Sequence, residues 1–251
     1  MSSDQQVVQF DLGNSAVKWR AQSGTRTVAR GRFAVAELAS QQSLVELRGQ
    51  LNAAVISSVA GGAAGQKIAE FCRHQLGVEP RFARVVSEIN GLRCGYRDPA
   101  KLGVDRWLAM LAARARYSGA LVVVDVGSAA TFDVISAAGQ HCGGYILPGL
   151  ELMRAALAQG TDAVQVAPQP VTQITPGVDT AAAVRHGALA ALVALAESLS
   201  RRHRALLVVG GGDAALLCKQ LPDCQHYADM VLDGLAIAMA SESADNTEKI
   251  R

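Results

Sequence analysis

Two short segments of one type recur in this chain, and their repetition limits the possible folds more than any other feature. The first is Asp11–Ser15, with the sequence Asp-Leu-Gly-Asn-Ser, and the second is Asp125–Ala129, with the sequence Asp-Val-Gly-Ser-Ala. Each follows an apolar, strand-like run and precedes another one. The two aspartates are separated by close to half of the 251 residues. The chain is therefore expected to contain two related halves, each with a strand, a tight glycine turn and a second strand.

The elements around each segment repeat in the same order. In the first half the sequence predicts strands at residues 7–11, 16–22, 27–33, 53–57 and 81–86, and helices at residues 34–49, 61–76 and 104–117. In the second half it predicts strands at residues 121–125, 131–135, 142–147 and 205–209, and helices that begin at Pro148, Thr180, Gly210 and near Asp233. A proline-containing loop is expected at residues 160–178. We predict an α/β fold with two duplicated domains, residues 1–118 and 119–251.

Composition excludes several classes of protein. Half of the residues are hydrophobic and 18% are charged, which is typical of a globular protein. The net charge of +2 gives no reason to expect a nucleic-acid partner, and the basic cluster Arg201–Arg204 is interpreted as the end of a helix. The five cysteines contain no Cys-x-x-Cys pair and the five histidines lack metal-ligand spacing, so scattered reduced thiols are expected. With no signal peptide and no apolar run near the ~18 residues of a membrane span, we expect a soluble, cytoplasmic protein with no membrane partner.

The repeated segments have the residue types that a phosphate-binding loop requires. Glycine and small residues after a strand let backbone N–H groups approach a phosphate, and the aspartate can hold a hydrated cation that bridges phosphate oxygens. Two such loops could hold a triphosphate; the alternative is that each is an ordinary hairpin turn. Lys18 could reach a phosphate or be a solvated strand residue. Gly210–Gly212 could admit an adenine or a ribose or be a flexible turn.

The segment between the two copies is polar and is not repeated. At its end Asp105 and Arg106 follow Gly103, at the predicted start of a helix. Asp105 could accept a proton from a hydroxyl group, and Arg106 could bind a carboxylate with two parallel hydrogen bonds. The alternative for Asp105 is a capping residue that interacts favourably with the helix dipole.

Taken together, these blocks resemble the type III pantothenate kinases, a family of the acetate and sugar kinase, heat-shock protein and actin superfamily. The resemblance rests on Asp11–Lys18, Tyr96–Trp107, Asp125–Asp133 with Gly143–Gly149, and more weakly on Asp179–Gly187. It covers the chain from residue 11 to residue 187 in order.

The resemblance implies two ribonuclease-H-like (actin-like ATPase) domains with mixed β-sheets, in a homodimer that phosphorylates pantothenate with ATP at the first step of coenzyme A synthesis. It implies Asp105 as the catalytic base, and Mg²⁺ with ATP. Asp125 would bind a monovalent cation, potassium or ammonium, and Ser128 would contact ATP. The first phosphate loop would consist of Asp11, Leu12, Gly13, Asn14, Ser15, Ala16, Val17 and Lys18. Pantothenate would be held by Tyr96, Gly103, Val104, Asp105 and Arg106, and by Thr180, from the partner subunit.

The chain departs from the family pattern at three positions. Serine stands at 15 and 128 where threonine is usual, and Asp98 stands before Pro99 where asparagine is common. A hydroxyl survives at both serine positions, so their contacts are expected to survive. Thr180 could instead cap its helix. Two other functions fit the same superfamily: a sugar kinase, or a regulatory transcription accessory protein that binds a nucleotide without turnover.

Overall fold

The computed structural model describes residues 6–59, 62–160, 167 and 173–248. In these ranges the strands are β1 (Gln6–Leu12), β2 (Val17–Ser23), β3 (Arg26–Phe33), β4 (Leu51–Ser58), β5 (Pro80–Phe82), β6 (Glu88–Ile89), β7 (Leu92–Arg93), β8 (Leu121–Val126), β9 (Ala129–Ile135), β10 (His141–Pro148), β11 (Leu206–Gly210) and β12 (Gln225–His226). The α-helices in the same ranges are α1 (Gln42–Val45), α2 (Gly62–Phe71), α3 (Val104–Arg116), α4 (Leu150–Gly160), α5 (Thr180–His203), α6 (Ala214–Cys218) and α7 (Met230–Glu248). A π-helical turn, Cys72–Leu76, continues α2, and 3₁₀ turns lie at Val35–Ser40 and Pro99–Lys101.

The chain forms two compact units. Unit 1 contains the described residues up to Ile89, the segment Asp98–Ala112 and the residues from Val231 onward. Unit 2 contains Asn90–Arg97 and Ala113–Met230. The division thus falls inside α3, six residues before the expected boundary at 118, and α7 belongs almost entirely to unit 1. The domain limits of 1–118 and 119–251 remain a prediction from the repeat.

The two units have the same sheet topology. The strand order is β3-β2-β1-β4-β5 in unit 1 and β10-β9-β8-β11-β12 in unit 2. In each sheet the central strand is antiparallel to the strand that follows it and parallel to the fourth strand of the set: β1 pairs with β2 and β4, and β8 pairs with β9 and β11. The predicted duplication of an α/β domain with a mixed sheet is therefore confirmed.

One face of each sheet carries an apolar core. In unit 1 alternate residues of β1, namely Val8, Phe10 and Leu12, are buried with residues of α2. In unit 2 the corresponding residues of β8 are Val122, Val124 and Val126, and they are buried with one side of α5. Because side chains alternate along a strand, the polar residues Asp11 and Asp125 lie on the opposite faces of their sheets.

Helix α5, with 24 residues, is long and apolar enough to cross a membrane by length and composition alone. It contributes Leu189, Leu192, Val193, Ala196 and Leu199 to the core of unit 2. These five residues lie on one side of the helix, so α5 is a core element of unit 2. The helix ends at His203, and Arg204 adopts the left-handed conformation, so the basic cluster is a helix end, as predicted.

The predicted helix at residues 34–49 is wrong as a continuous element. The chain instead forms a 3₁₀ turn over Val35–Ser40 and the short helix α1. In a continuing α-helix the carbonyl of Glu37 would accept the backbone N–H of Gln41. Here that carbonyl accepts the Ser40 hydroxyl at 2.8 Å and the Gln41 side-chain amide at 3.1 Å. Side-chain competition for a backbone acceptor is the physical reason for the break.

Four other predicted boundaries also need correction. The helix expected from Gly210 begins only at Ala214, because Gly210 is the last residue of β11. Pro148 ends β10 and pairs with Ala129, so α4 begins only at Leu150. β10 lies at one end of its sheet order, where a residue without an N–H is tolerated. The strand expected at 81–86 is only β5, because just its three residues pair with β4. The last helix begins at Met230 rather than near Asp233.

The cysteines are less scattered than the sequence suggested. The sulfur atoms of Cys218 and Cys224 lie 2.9 Å apart, although both are free thiols. Burial raises the pKa of Cys224 to about 12, with the neighbouring Cys218 thiol contributing. Burial also raises the pKa of Cys72, in the core of unit 1, to about 12. Both thiols therefore stay protonated at neutral pH, and the expectation of reduced thiols is compatible with this geometry.

The polar face of the unit 1 sheet contains one buried cation. Arg20 on β2 is 5% exposed; its Nε donates to Gln9 Oε1 on β1 at 2.5 Å. Its Nη1 lies 2.6 Å from Asp233 Oδ1 on α7. A buried guanidinium without a carboxylate partner is costly, so this ion pair fixes α7 on the sheet of unit 1.

We expect Asp233→Ala to lower the free energy of unfolding by about 2 kcal/mol, because Arg20 would lose its carboxylate partner while remaining buried. The matched control is Glu197→Ala, which breaks the exposed Glu197–Arg201 pair at 3.2 Å and should cost below about 0.5 kcal/mol. Urea unfolding followed by circular dichroism measures both. Equal losses in the two variants would contradict a structural role for the buried pair.

Candidate functional site

The first predicted phosphate loop is a tight connection between β1 and β2. Leu12 pairs with Val17 across the hairpin, and the Gly13 N–H donates to the Ala16 carbonyl at 3.1 Å. The side chains of Leu12 and Val17 are fully buried in the core of unit 1, whereas Asn14 and Ser15 are exposed. Of the predicted loop residues, Leu12 and Val17 could therefore contact a nucleotide only through their backbone.

Polar residues form a row across the sheet just before this loop. Asp11 on β1 is directly opposite Lys18 on β2, and on its other side it is in register with Ser57 on β4. All three lie on the face away from the apolar core, since their strand neighbours belong to that core. The structure thus brings Asp11 and Lys18 together, as a phosphate site requires. Ser57 is a member of the row that the sequence did not reveal; its hydroxyl is buried and makes no hydrogen bond within the described residues.

The predicted base lies in the first turn of α3. Asp105 is half-buried, and its Oδ1 accepts the backbone N–H of Arg106 at 2.7 Å. The carboxylate thus lies at the positive end of the helix dipole. Arg106, the next residue of α3, is 5% exposed. Asp98, where the sequence departs from the family, accepts from the Ala100 N–H at 3.1 Å and caps the 3₁₀ turn.

The second loop has the same plan but is one residue shorter. Val126 pairs with Ala130, the Gly127 N–H donates to the Ala129 carbonyl at 2.9 Å, and Ser128 is exposed at the tip. Asp125 occupies the position on β8 that Asp11 occupies on β1, the last residue but one of the strand. In place of a lysine, Asp125 is opposite Thr131. The two loops are therefore related in topology but not in their flanking side chains.

Gly211 brings a second backbone segment against Asp125. Its φ of +97° is in the left-handed region, and a methyl group there would lie 2.4 Å from Asp125 Oδ1 and 2.3 Å from the Val126 carbonyl oxygen. Only glycine permits this approach. The sequence left open whether Gly210–Gly212 admits a nucleotide or forms a flexible turn. The structure shows that Gly211 packs on the Asp125 carboxylate.

The predicted substrate residues are divided between the two units. Gly103, Val104, Asp105 and Arg106 belong to unit 1, whereas Tyr96 and Thr180 belong to unit 2. Tyr96 is half-buried, and its ring lies against the ring of His141, with centroids 5.9 Å apart and planes inclined by 12°. Thr180 is exposed at the start of α5. The alternative that Thr180 caps this helix is wrong, because Asp179 does so by accepting the Ala182 N–H at 2.8 Å.

Sequence reasoning missed the buried pair Asp133–His141 beside Tyr96. His141 Nε2 lies 3.0 Å from Asp133 Oδ1, and the two side chains are 0% and 2% exposed. The only available signal was an aspartate and a histidine within strands that are otherwise apolar. Such residues are rarely buried unless they are paired.

The oxygen atoms near Asp125 suit a hard cation. The Asp125 carboxylate lies beside Gly211 together with the Val126 N–H and the Val126 carbonyl, which accepts the Asp213 N–H at 3.0 Å. Carboxylate and carbonyl oxygens are the ligands that such cations prefer. Among the described residues no group of three or more His, Cys, Asp or Glu side chains is placed to hold a metal ion. A cation at the Asp125 carboxylate would therefore need further ligands, such as phosphate oxygens.

Comparison with known proteins supports the fold first. A candidate 2-dehydro-3-deoxygalactonokinase from Sinorhizobium meliloti matches with a TM-score of 0.59 at 14% identity, over 94% of this chain and 99% of that one. A candidate Baf family transcriptional activator from Campylobacter jejuni matches with a TM-score of 0.61 at 18% identity, over 94% and 99% of the two chains. With its duplicated mixed sheets and two aspartate loops, the protein is a member of the actin-like ATPase and sugar kinase fold class.

The sequence then assigns the family. The type III pantothenate kinase family pattern matches residues 7–202. A type III pantothenate kinase from Nitrosococcus oceani is 32% identical over 98% of this chain and 96% of its own length. The chain belongs to the type III pantothenate kinase family and is an ATP-dependent kinase. The family and fold predicted from the motifs are confirmed.

We expect Gly211→Ala to lower the melting temperature by about 4–8 °C, because the new methyl group would collide with Asp125 and strain the backbone by about 2 kcal/mol. It should also weaken ATP binding, measured by titration calorimetry. Gly212→Ala is the matched control, since the space around a methyl group at Gly212 is open. If both variants behave alike, close packing of residue 211 on Asp125 is unimportant.

Proposed function

We propose that this pantothenate kinase uses Asp105 as its general base, and that it produces 4'-phosphopantothenate by in-line transfer of the γ-phosphate of ATP. The Asp105 carboxylate accepts the proton of the pantothenate hydroxyl while the hydroxyl oxygen attacks phosphorus and ADP leaves. The observation that carries this proposal is the placement of Asp105, whose carboxylate is held by the Arg106 N–H at 2.7 Å in the first turn of α3. Phosphoryl transfer requires a well-placed base more than a strong one.

The other proposed roles follow from charge and position. Arg106 orients the pantothenate carboxylate, and Tyr96, Gly103, Val104 and Thr180 complete the substrate contacts. The residues from Asp11 to Lys18 bind phosphate, together with Ser128.

Two cations accompany the nucleotide in this proposal. Mg²⁺ accompanies ATP near Asp11, and Asp125 holds a monovalent cation, potassium or ammonium. When bound, such cations neutralise charge on the phosphate oxygens. The support for this assignment is the equivalent placement of Asp11 and Asp125 on the polar faces of the two sheets.

The assignment is tested by ADP release with and without pantothenate, in potassium and in sodium. We expect pantothenate-dependent turnover that is faster in potassium. No pantothenate-dependent turnover in either salt would overturn the assignment. Equal rates in both salts would remove the role of Asp125 in binding potassium.

We expect Asp105→Asn to reduce kcat by at least about 10²-fold, because the amide cannot accept the hydroxyl proton, while ATP binding persists. Asp98→Asn is the matched control: it makes the same chemical change in the same segment, at a residue that caps a 3₁₀ turn. Steady-state ADP release gives kcat, and calorimetry gives ATP affinity. Full activity of Asp105→Asn would contradict the base role.

A homodimer in the cytoplasm is the proposed state of the protein. The support is a set of exposed apolar side chains in unit 2: Tyr145, Ile146, Leu152 and Leu157. They lie on β10 and α4, and no residue of α4 is buried in the single chain. Tyr145 and Ile146 are adjacent on β10 and so point to opposite faces of the sheet, with Ile146 on the face that carries Asp125. Exposed apolar side chains on both faces of an edge strand are typical of an interface, and a second copy of the chain would cover them. In that arrangement Thr180 would reach the pantothenate site of the partner subunit.

We expect Ile146→Asp to convert the dimer to a monomer in sedimentation equilibrium, because Ile146 is 63% exposed and a charge would be buried by association. Val28→Asp is the matched control: Val28 is 37% exposed on β3, the corresponding edge strand of unit 1, and should leave the mass unchanged. A monomeric wild-type chain would contradict the proposed dimer.

A further inference from the structure

The segment that carries Tyr96 lies along the β9–β10 hairpin of unit 2. The Arg93 N–H donates to the Gly139 carbonyl at 2.9 Å, and Arg93 forms a parallel bridge with Gln140. Two residues later, a methyl group on Gly95 would lie only 2.0 Å from the His141 carbonyl oxygen. The absence of a side chain at Gly95 therefore lets the backbone before Tyr96 rest directly on His141.

The side chain of His141 is held in place by a contact with Asp133 on β9. It is opposite Ile135 on β9, so its side chain lies on the same face as Asp133, which is two residues away. Gly144, the residue directly opposite Asp133, has no side chain to fill that space. The 3.0 Å contact from His141 Nε2 to Asp133 Oδ1 holds the imidazole ring in one orientation.

Asp133 contacts the edge of the imidazole ring at Nε2, whereas Tyr96 stacks on a face of the ring. The two rings are nearly parallel, at an interplanar angle of 12° and a centroid distance of 5.9 Å, which is an offset-stacked geometry. His141 Nδ1 is buried and makes no hydrogen bond within the described residues. The ring thus contributes a flat surface to Tyr96 rather than a hydrogen bond. Since Tyr96 lies in an irregular segment, its own backbone does not fix the direction of its side chain.

We propose that the Asp133–His141 pair is the platform that positions Tyr96 for pantothenate, so that His141 and Asp133 are positioning residues of the acceptor site. This inference rests on the proposed function, in which Tyr96 contacts pantothenate. Asp133 fixes the imidazole, the imidazole fixes the phenol ring, and the phenol ring meets the substrate.

The test compares two double variants, because removal of His141 alone would break its contact with the buried Asp133 carboxylate and destabilise unit 2. Asp133→Leu/His141→Phe removes the buried pair but keeps a flat ring under Tyr96. Asp133→Leu/His141→Leu removes both the pair and the ring. Both variants have apolar side chains of suitable size, a replacement that buried pairs often tolerate. Melting temperatures show whether each one folds.

We expect the variant with two leucines to raise the KM for pantothenate about threefold to tenfold, the range that one aromatic contact provides, with the KM for ATP unchanged. The variant with phenylalanine should retain the wild-type KM for pantothenate. Tyr96→Leu should raise that KM to a similar extent, and its combination with the two leucines should add little more, because the residues act through one contact.

Several results would overturn the proposal. They are an unchanged KM for pantothenate in the variant with two leucines, an equal rise in both double variants, an equal rise in the KM for ATP, or additive effects of Tyr96→Leu. If the wild-type protein releases no ADP with pantothenate, the proposed function itself fails, and the inference fails with it. If the wild-type protein is active but the KM for pantothenate is the same in the variant with two leucines, only the positioning role of Asp133 and His141 is contradicted.

Discussion

Strand alternation on β1 and β8 is the constraint on which the rest of this structure depends. Val8, Phe10 and Leu12 face the core of unit 1, which forces Asp11 onto the other face. Asp125 is placed in the same way by the apolar residues on either side of it in β8. A shift of one residue would bury each carboxylate in an apolar core, where an isolated charge is very unfavourable. The pattern that folds each sheet therefore also directs its aspartate toward the polar face.

The two units share one sheet topology, but they differ in the buried polar residues that occupy corresponding positions. Arg20 is opposite Gln9, two residues before Asp11, and Asp133 is opposite Val123, two residues before Asp125. The corresponding positions thus hold a cation in unit 1 and a carboxylate in unit 2. The cation binds Asp233 on α7, while the carboxylate binds His141 under Tyr96. The same position is thus linked to a helix in one unit and, through His141, to the ring of Tyr96 in the other.

The sequence pattern predicted those features of the fold that depend on residues close together in the chain. The strands that carry Asp11 and Asp125, and the duplication, follow from alternation and glycine turns, whereas the family was indicated by the resemblance of whole sequence blocks. The breaks at residues 34–49 and at Pro148 depend on side-chain competition for Glu37 and on an edge position in the sheet. The assignment of α7 to unit 1, and the partnership of Asp133 with His141 and Tyr96, depend on contacts between residues distant in sequence. The spacing of apolar residues along the sequence does not predict such contacts.

In phosphoryl transfer the protein mainly positions the reacting groups, since its side chains take part in little covalent chemistry. Asp11, Lys18 and Asp125 lie on strands and Asp105 lies on a helix, so the hydrogen bonds of regular elements hold their backbones. Tyr96 lies outside every helix and strand. Its position therefore depends on tertiary contacts, and its ring lies against His141, which is paired with the buried Asp133. Burying two polar side chains costs free energy even when they are hydrogen-bonded to each other, so their use here is better explained by the fixed orientation that we propose they give to one ring.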